Sequence, residues 1–202
     1  IPNQAKETIA KMRELINEYR YHYHVLDESI MSEAAADSLK HELSQLEERY
    51  PEFVTPDSPT QRVAGEALDK FEKVTHQTPM ISLSDVFTRE EVAAWIARMD
   101  KLLGVAPHEF IADIKMDGLA CALVYEDGVL VQAVTRGDSR VGENVTANVR
   151  TIQNVPLQLR HSQRFSYLRT DRTEIRGEIV MYRRDFIKLN EAREKPGQRL
   201  FK

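Results

Sequence analysis

Lys115 stands between two carboxylates in Asp113-Ile114-Lys115-Met116-Asp117-Gly118, where one apolar run gives way to another. A lysine side chain free in water, with a pKa near ~10.4, has no lone pair to offer at neutral pH; burial, neighbouring cations or a metal free that lone pair for attack on carbonyl carbon or phosphorus. The same six residues also read as a solvated hairpin turn in which Asp117-Gly118 only supplies a left-handed residue. Taken alone, they favour the plainer reading.

Other chemistry-bearing residues are scattered. Tyr23 and His24 place polar ring tips at the end of a helical pattern, suited to stacking on and hydrogen-bonding a ring-bearing ligand. Arg136 in Thr135-Arg136-Gly137-Asp138 and Glu178 in Arg176-Gly177-Glu178 read, by themselves, as members of structural ion pairs. His41-Glu42 lacks the second histidine a zinc-protease helix needs at position 45, which is Gln45, so no metal ligands are assigned. No GxGxxG or Walker loop occurs, which argues against a Rossmann or P-loop nucleotide site.

Composition narrows the classes. The 202 residues suffice for one large or two small domains, and 42% hydrophobic content is ordinary for a globular chain. A formal charge of −4 is not the general basic footprint of a free-standing DNA-binding domain, so any grip on DNA is local. No run of about 18 apolar residues is present, and the single cysteine, Cys121, lies in an apolar strand pattern, as a core residue of a protein in a reducing compartment would.

Periodicity supplies the scaffold. Ile9, Met12, Ile16, Tyr19 and Tyr23 share one face of a helix over 4–27; Ser32 caps a second, with Leu39, Leu43 and Leu46, running to about residue 48. The two pair as a hairpin over 1–50. The turn-rich Thr55-Pro56-Asp57-Ser58-Pro59-Thr60 marks a linker at 51–70. Thr88 and Glu91 form a capping box for a helix stopped by Gly104, with Trp95 as a core anchor. Strands are expected over 109–115, 119–126 and 129–135, the last two joined at Asp127-Gly128, and over 174–181; helices are expected over 143–152 and 184–194.

Taken together, the motifs resemble one family. Lys-x-Asp-Gly before an apolar strand looks like the first motif of the covalent nucleotidyltransferases. Tyr23-His24-Val25, the segment from Thr55 to Val63, Thr135-Arg136-Gly137-Asp138 with Gly142-Glu143, and Arg176-Gly177-Glu178 extend the match across nearly the whole chain, and to one branch, the bacterial NAD-dependent DNA ligases. The resemblance implies an α+β fold: an N-terminal helical hairpin that recognises NMN, then, over 71–202, the first part of a nucleotidyltransferase (ATP-grasp-like) adenylation domain with antiparallel sheets and flanking helices.

The chemistry implied is attack by Lys115 on the adenylyl phosphorus of NAD, release of nicotinamide mononucleotide, and later transfer of AMP to a 5′-phosphate at a nick in duplex DNA. Asp117 is expected to orient Lys115 or a magnesium ion, Arg136 to meet a phosphate oxygen or ribose hydroxyl, and Glu178 a ribose hydroxyl. Ser82, Leu83, Asp113 and Gly118 are expected to border the adenylate, and Tyr23, His24, Glu33 and Asp37 the NMN half. The family usually has glutamate where this chain has Asp113, a tyrosine where it has Ala36, and glycine where it has Ser139; altered adenine and NMN contacts are expected. The resemblance also implies cytoplasmic, nucleoid-associated use, no protein partner, and zinc only in a region beyond these residues. The 202 residues are expected to be a fragment unable to seal DNA alone. Two other readings stay open: a nucleotide-binding module or regulatory relative without catalysis, and an ATP-dependent ligase or capping enzyme, which the helical hairpin with Tyr23-His24 argues against.

Overall fold

Apolar residues three and four apart coil the N-terminal segment into α1 (Pro2–Tyr21), which passes into a π-helical turn over His22–Leu26. This computed structural model describes residues 2–26, 28–62, 71–104, 109–160 and 166–201, with backbone alone at 2, 3, 24 and 25. The second helix, α2 (Glu33–Arg49), starts at Ser32, whose side chain accepts from the amide of Ala35. Ile9, Met12 and Ile16 bury against Leu43, with Leu39, Leu46, Tyr50 and Phe53 around them. Each fully buried large aliphatic contributes about 1.5–3 kcal/mol, which is what holds two helices in a hairpin.

The turn-rich stretch after α2 is packed rather than extended, with short 3-10 turns at Pro51–Phe53 and Pro59–Gln61. It closes over a charge. Glu47, 4% exposed, accepts from Arg13 Nε at 2.8 Å, from Ser58 Oγ at 2.7 Å and from the hydroxyl of Thr60. A buried carboxylate is tolerated only when its charge and lone pairs are met, and the Ser-Pro-Thr sequence supplies that shell.

The remaining elements build two small sheets. The chain gives β1 (Lys73–Thr75), α3 (Arg89–Leu103), β2 (Leu119–Glu126), β3 (Val129–Thr135), β4 (Val141–Glu143), α4 (Thr146–Val149), β5 (Arg172–Ile179) and α5 (Arg183–Glu194). One sheet has the antiparallel order β3-β2-β5; the other pairs β1 with β4. At the β2–β3 turn, Asp127 and Gly128 both have positive φ, 49° and 80°, the backbone a two-residue hairpin of matching twist requires. Cys121, Tyr125, Leu130, Ala133, Val145, Val149 and Leu157 form the core on one face of this sheet.

Arg62 ties the hairpin to the sheet. Its guanidinium donates to the carbonyls of Ile152 at 2.8 Å and Val155 at 2.6 Å, and Arg150 in turn donates to the carbonyl of Pro56 at 2.9 Å. Burial, with repulsion from Arg20, draws the Arg62 pKa down to about 10, so it stays charged at neutral pH.

Three sequence expectations change. Residues 109–117 form no strand; Ile111 is 97% exposed, and no neighbouring strand among the described residues offers the hydrogen bonds that an alternating pattern needs. Trp95 is not a core anchor. It is 38% exposed and packs on Phe110, ring centroids 5.4 Å apart. The helix expected over 143–152 shrinks to the four residues of α4; at its start Glu143 pairs with β1 and Asn144 bridges to Val134. Mixed helix and antiparallel sheet, helices first, is the architecture observed. Among the described residues no helix is long and apolar enough to cross a membrane.

Candidate active site

Antiparallel pairing brings three distant motifs to one end of the β3-β2-β5 sheet. Gly118 leads into β2, Arg136 follows the last residue of β3, and Glu178 lies one residue from the end of β5. In register, Ala120 faces Glu178, and the amide of Arg136 donates to the carbonyl of Ala120 at 2.9 Å. Residues directly opposite in adjacent strands share a face. Ala120, Ala122, Arg176 and Glu178 therefore lie opposite the face that carries Cys121 and the core. On that face Ala122 is buried and Ala120 is half-buried.

Gly118 fixes how the lysine motif enters. A Cβ there would stand 2.3 Å from the carbonyl oxygen of Ile179, so only glycine lets the two backbones run this close. Its φ lies outside the left-handed region; close approach, not a turn, is the requirement. Lys115 and Asp117, just before it, are both exposed. Asp113 accepts from the amide of Ile114 at 2.7 Å, a bond to the backbone of the next residue.

Ser82 and Leu83 lie in an irregular exposed segment, Leu83 at 76%. That segment is tied upstream. The amide of His76 donates to the carbonyl of Arg140 at 2.8 Å, that of Met80 to the carbonyl of Ser139 at 2.9 Å, and Arg176 donates to the carbonyls of Thr78 and Pro79. Sequence reasoning passed over His76, Met80 and Arg176 as site supports. The adjacent Arg-Gly-Glu triplet was the available signal for Arg176, since two residues along a strand share a face.

The helical candidates assemble elsewhere. Tyr23 stacks on buried Tyr19, ring centroids 5.6 Å apart, and Tyr19 lies within electrostatic range of Tyr23, Glu33 and Asp37. Glu33 and Asp37 are exposed. The side chain of His24 lies outside the described residues. His22, not singled out from sequence, reaches Glu18 at 3.2 Å and Glu28 at 3.1 Å. A separate cleft of about 620 Å³ between α1 and residues 153–160 contains none of the candidates. It is lined by Arg20, Arg62 and Arg160, already engaged with Gln153, backbone carbonyls and Glu18.

Comparison with known families decides what this assembly belongs to. Residues 68–202 match the family described as NAD-dependent DNA ligase adenylation domain, and residues 2–64 the family described as DNA ligase-like, N-terminal NAD+-binding domain. The chain belongs to the NAD-dependent DNA ligases. Among curated relatives, the DNA ligase of Coxiella burnetii (strain RSA 493) is 44% identical over all 202 residues, that of Syntrophomonas wolfei 43% over 198, and that of Halorhodospira halophila 46% over 198. The matches cover 98–100% of this chain and 27–29% of those relatives, so the chain spans less than a third of their length.

The positions where this ligase chain departs from the usual pattern have definite surroundings. Ala36 is 8% exposed, on the buried side of α2. Ser139 has φ 83°, a conformation glycine adopts freely and serine does not. The turn around it is built by Asp138, whose carboxylate accepts from the amides of Arg140 and Val141; those two hydrogen bonds hold its pKa below the usual carboxylate value. Gly137 has no substitute: a Cβ there would sit 1.8 Å from the carbonyl oxygen of Val141.

Proposed function

We propose that this chain is the nucleotide-charging part of a longer NAD-dependent DNA ligase, with residues 1–50 a helical NMN-recognition subdomain, 51–70 a linker and 71–202 the first part of an adenylation domain. Nζ of Lys115, as the free amine, attacks the adenylyl phosphorus of NAD. A P–N bond forms, the bond from that phosphorus to the bridging oxygen breaks, NMN leaves and the amine loses its proton. Such phosphoryl chemistry is chiefly positioning and charge neutralisation. Arg136 meets a phosphate oxygen or ribose hydroxyl, Glu178 a ribose hydroxyl, and Asp117 orients the lysine. Ser82, Leu83, Gly118 and Asp113 border the adenylate, while Tyr23, His24, Glu33 and Asp37 receive the NMN half. The longer protein then passes AMP to a 5′-phosphate at a DNA nick, in the cytoplasm and on the nucleoid.

The observation that carries this reading is the convergence of Gly118, Arg136 and Glu178 at one end of one sheet, which a set of unrelated structural ion pairs would not require. Among the described residues no three His, Cys, Asp or Glu side chains gather as a metal cage. Magnesium needs no such cage, since one or two carboxylates and the substrate's phosphates suffice to hold it; Asp117 would supply the carboxylate and the ion would neutralise phosphate charge, and no step is routed through it; zinc is assigned to none of these residues.

A second reading, nucleotide binding without catalysis, is favoured by Ala36, which puts no ring where the family usually has one. Incubating the full-length protein with NAD labelled in the adenylate, then denaturing it, separates the two. Covalent retention of the adenylate but not of a nicotinamide label supports the ligase; reversible binding with no retention supports the module. Equal labelling from ATP would overturn the choice of donor.

A further inference from the structure

Arg176 does more in this fold than precede Glu178. Its Nη1 donates to the carbonyl of Pro79 at 2.9 Å, its Nη2 to the carbonyl of Thr78 at 2.6 Å, and its Nε to Glu174 Oε1 at 2.7 Å. Glu174, Arg176 and Glu178 are two residues apart along β5 and project from one face. The first aims the guanidinium, the second grips the segment leading to Ser82 and Leu83, and the third stands at the site end. Residues 76–87 have no regular backbone pairing, so their course depends on such ties. Further ties run from His76 to the carbonyls of Arg140 and Thr135 and from Met80 to that of Ser139, with Met80 buried at 5% exposure.

We propose that Arg176 is a positioning residue for the nucleotide site, holding the Thr78–Leu83 segment over the face of β5 that carries Glu178; this rests on the adenylation reading above. The fork geometry matters. A guanidinium presents several donors in one plane and reaches two successive carbonyls and a carboxylate at once, whereas an ammonium acts as a point charge and cannot hold all three. Arg176 is spent on the protein backbone, so its part is to place the segment rather than to meet the phosphates.

The test compares wild type, Arg176→Lys and Arg176→Ala in the full-length protein. Two readouts are needed: initial rates of adenylate labelling against NAD concentration, and chymotrypsin cleavage after Leu83 or Phe87 without nucleotide. Loss of two ties of about tenfold combined worth should raise the KM for NAD about tenfold in both variants, with kcat changed little, and should speed cleavage in both. Restoration by Arg176→Lys would mean that charge alone matters and would overturn the proposal. So would faster cleavage with an unchanged KM, which marks a purely structural tie, or no change in either readout. Absence of labelling in wild type is a different failure, that of the adenylation reading, and it takes the positioning role with it.

Discussion

A Cβ on Gly118 would lie 2.3 Å from the carbonyl oxygen of Ile179 and 2.9 Å from Val180 Cγ1. The last residue of the lysine motif is thus pressed against the end of the strand that bears Glu178. Two segments some 60 positions apart in the chain are thereby held in one place, and the spacing leaves no room for a methyl group.

Gly118→Ala should accordingly lower stability by about 1–3 kcal/mol, the usual cost of overpacking. Gly177→Ala is the control. Nothing lies within 4 Å of a Cβ there, and it should stay within about 1 kcal/mol of wild type. Urea denaturation of both variants checks this, and equal losses would mean that Gly118 is not sterically constrained.

Ser139 carries the opposite kind of strain. With φ at 83° it occupies backbone space that costs an L-residue about 1–2 kcal/mol, partly offset in glycine by a more flexible unfolded chain. Ser139→Gly should therefore stabilise the protein by about 0.5–1 kcal/mol, read as a higher denaturation midpoint with an unchanged slope. A lower midpoint would show that the serine side chain compensates for its conformation.

Cys121 gives a pH signature. It is 2% exposed, and burial pushes its thiol pKa up to about 11, from an ordinary value of 9.0. Because the folded pKa is the higher one, the stability linked to the neutral thiol is complete below pH 9.0 and is lost as pH rises towards 11. Iodoacetamide should leave the native protein unmodified at pH 8 and label it rapidly in denaturant. Rapid native labelling would place Cys121 at the surface.

What was legible in the sequence was local. The Ile9–Met12–Ile16 face, the Thr88–Glu91 capping box, left-handed Gly104 and the Asp127-Gly128 turn each depend on residues close in the chain, and each is readable from the sequence. Failures came where a partner had to arrive from afar. Residues 109–115 carry a strand pattern, but a pattern without a neighbouring strand does not make a ladder. Trp95 sits on a helical face as a core residue would, yet whether that face is covered depends on other elements. Arg62 and Arg176 were invisible as ties because their acceptors are backbone carbonyls some 90 to 100 positions away, and a carbonyl has no sequence signature. The motifs around Lys115, Arg136 and Glu178 stood out through resemblance; the antiparallel register brings Gly118, Arg136 and Glu178 to one end of one sheet.

The most direct test of the account is the mass of the peptide containing Lys115 after the full-length protein has been incubated with NAD and digested. This peptide alone should gain one AMP, NMN should be released in equal amount, and Lys115→Ala and Lys115→Arg should both abolish the adduct, since a guanidinium stays protonated and cannot attack. An AMP adduct on another residue, or undiminished labelling in either variant, would contradict it.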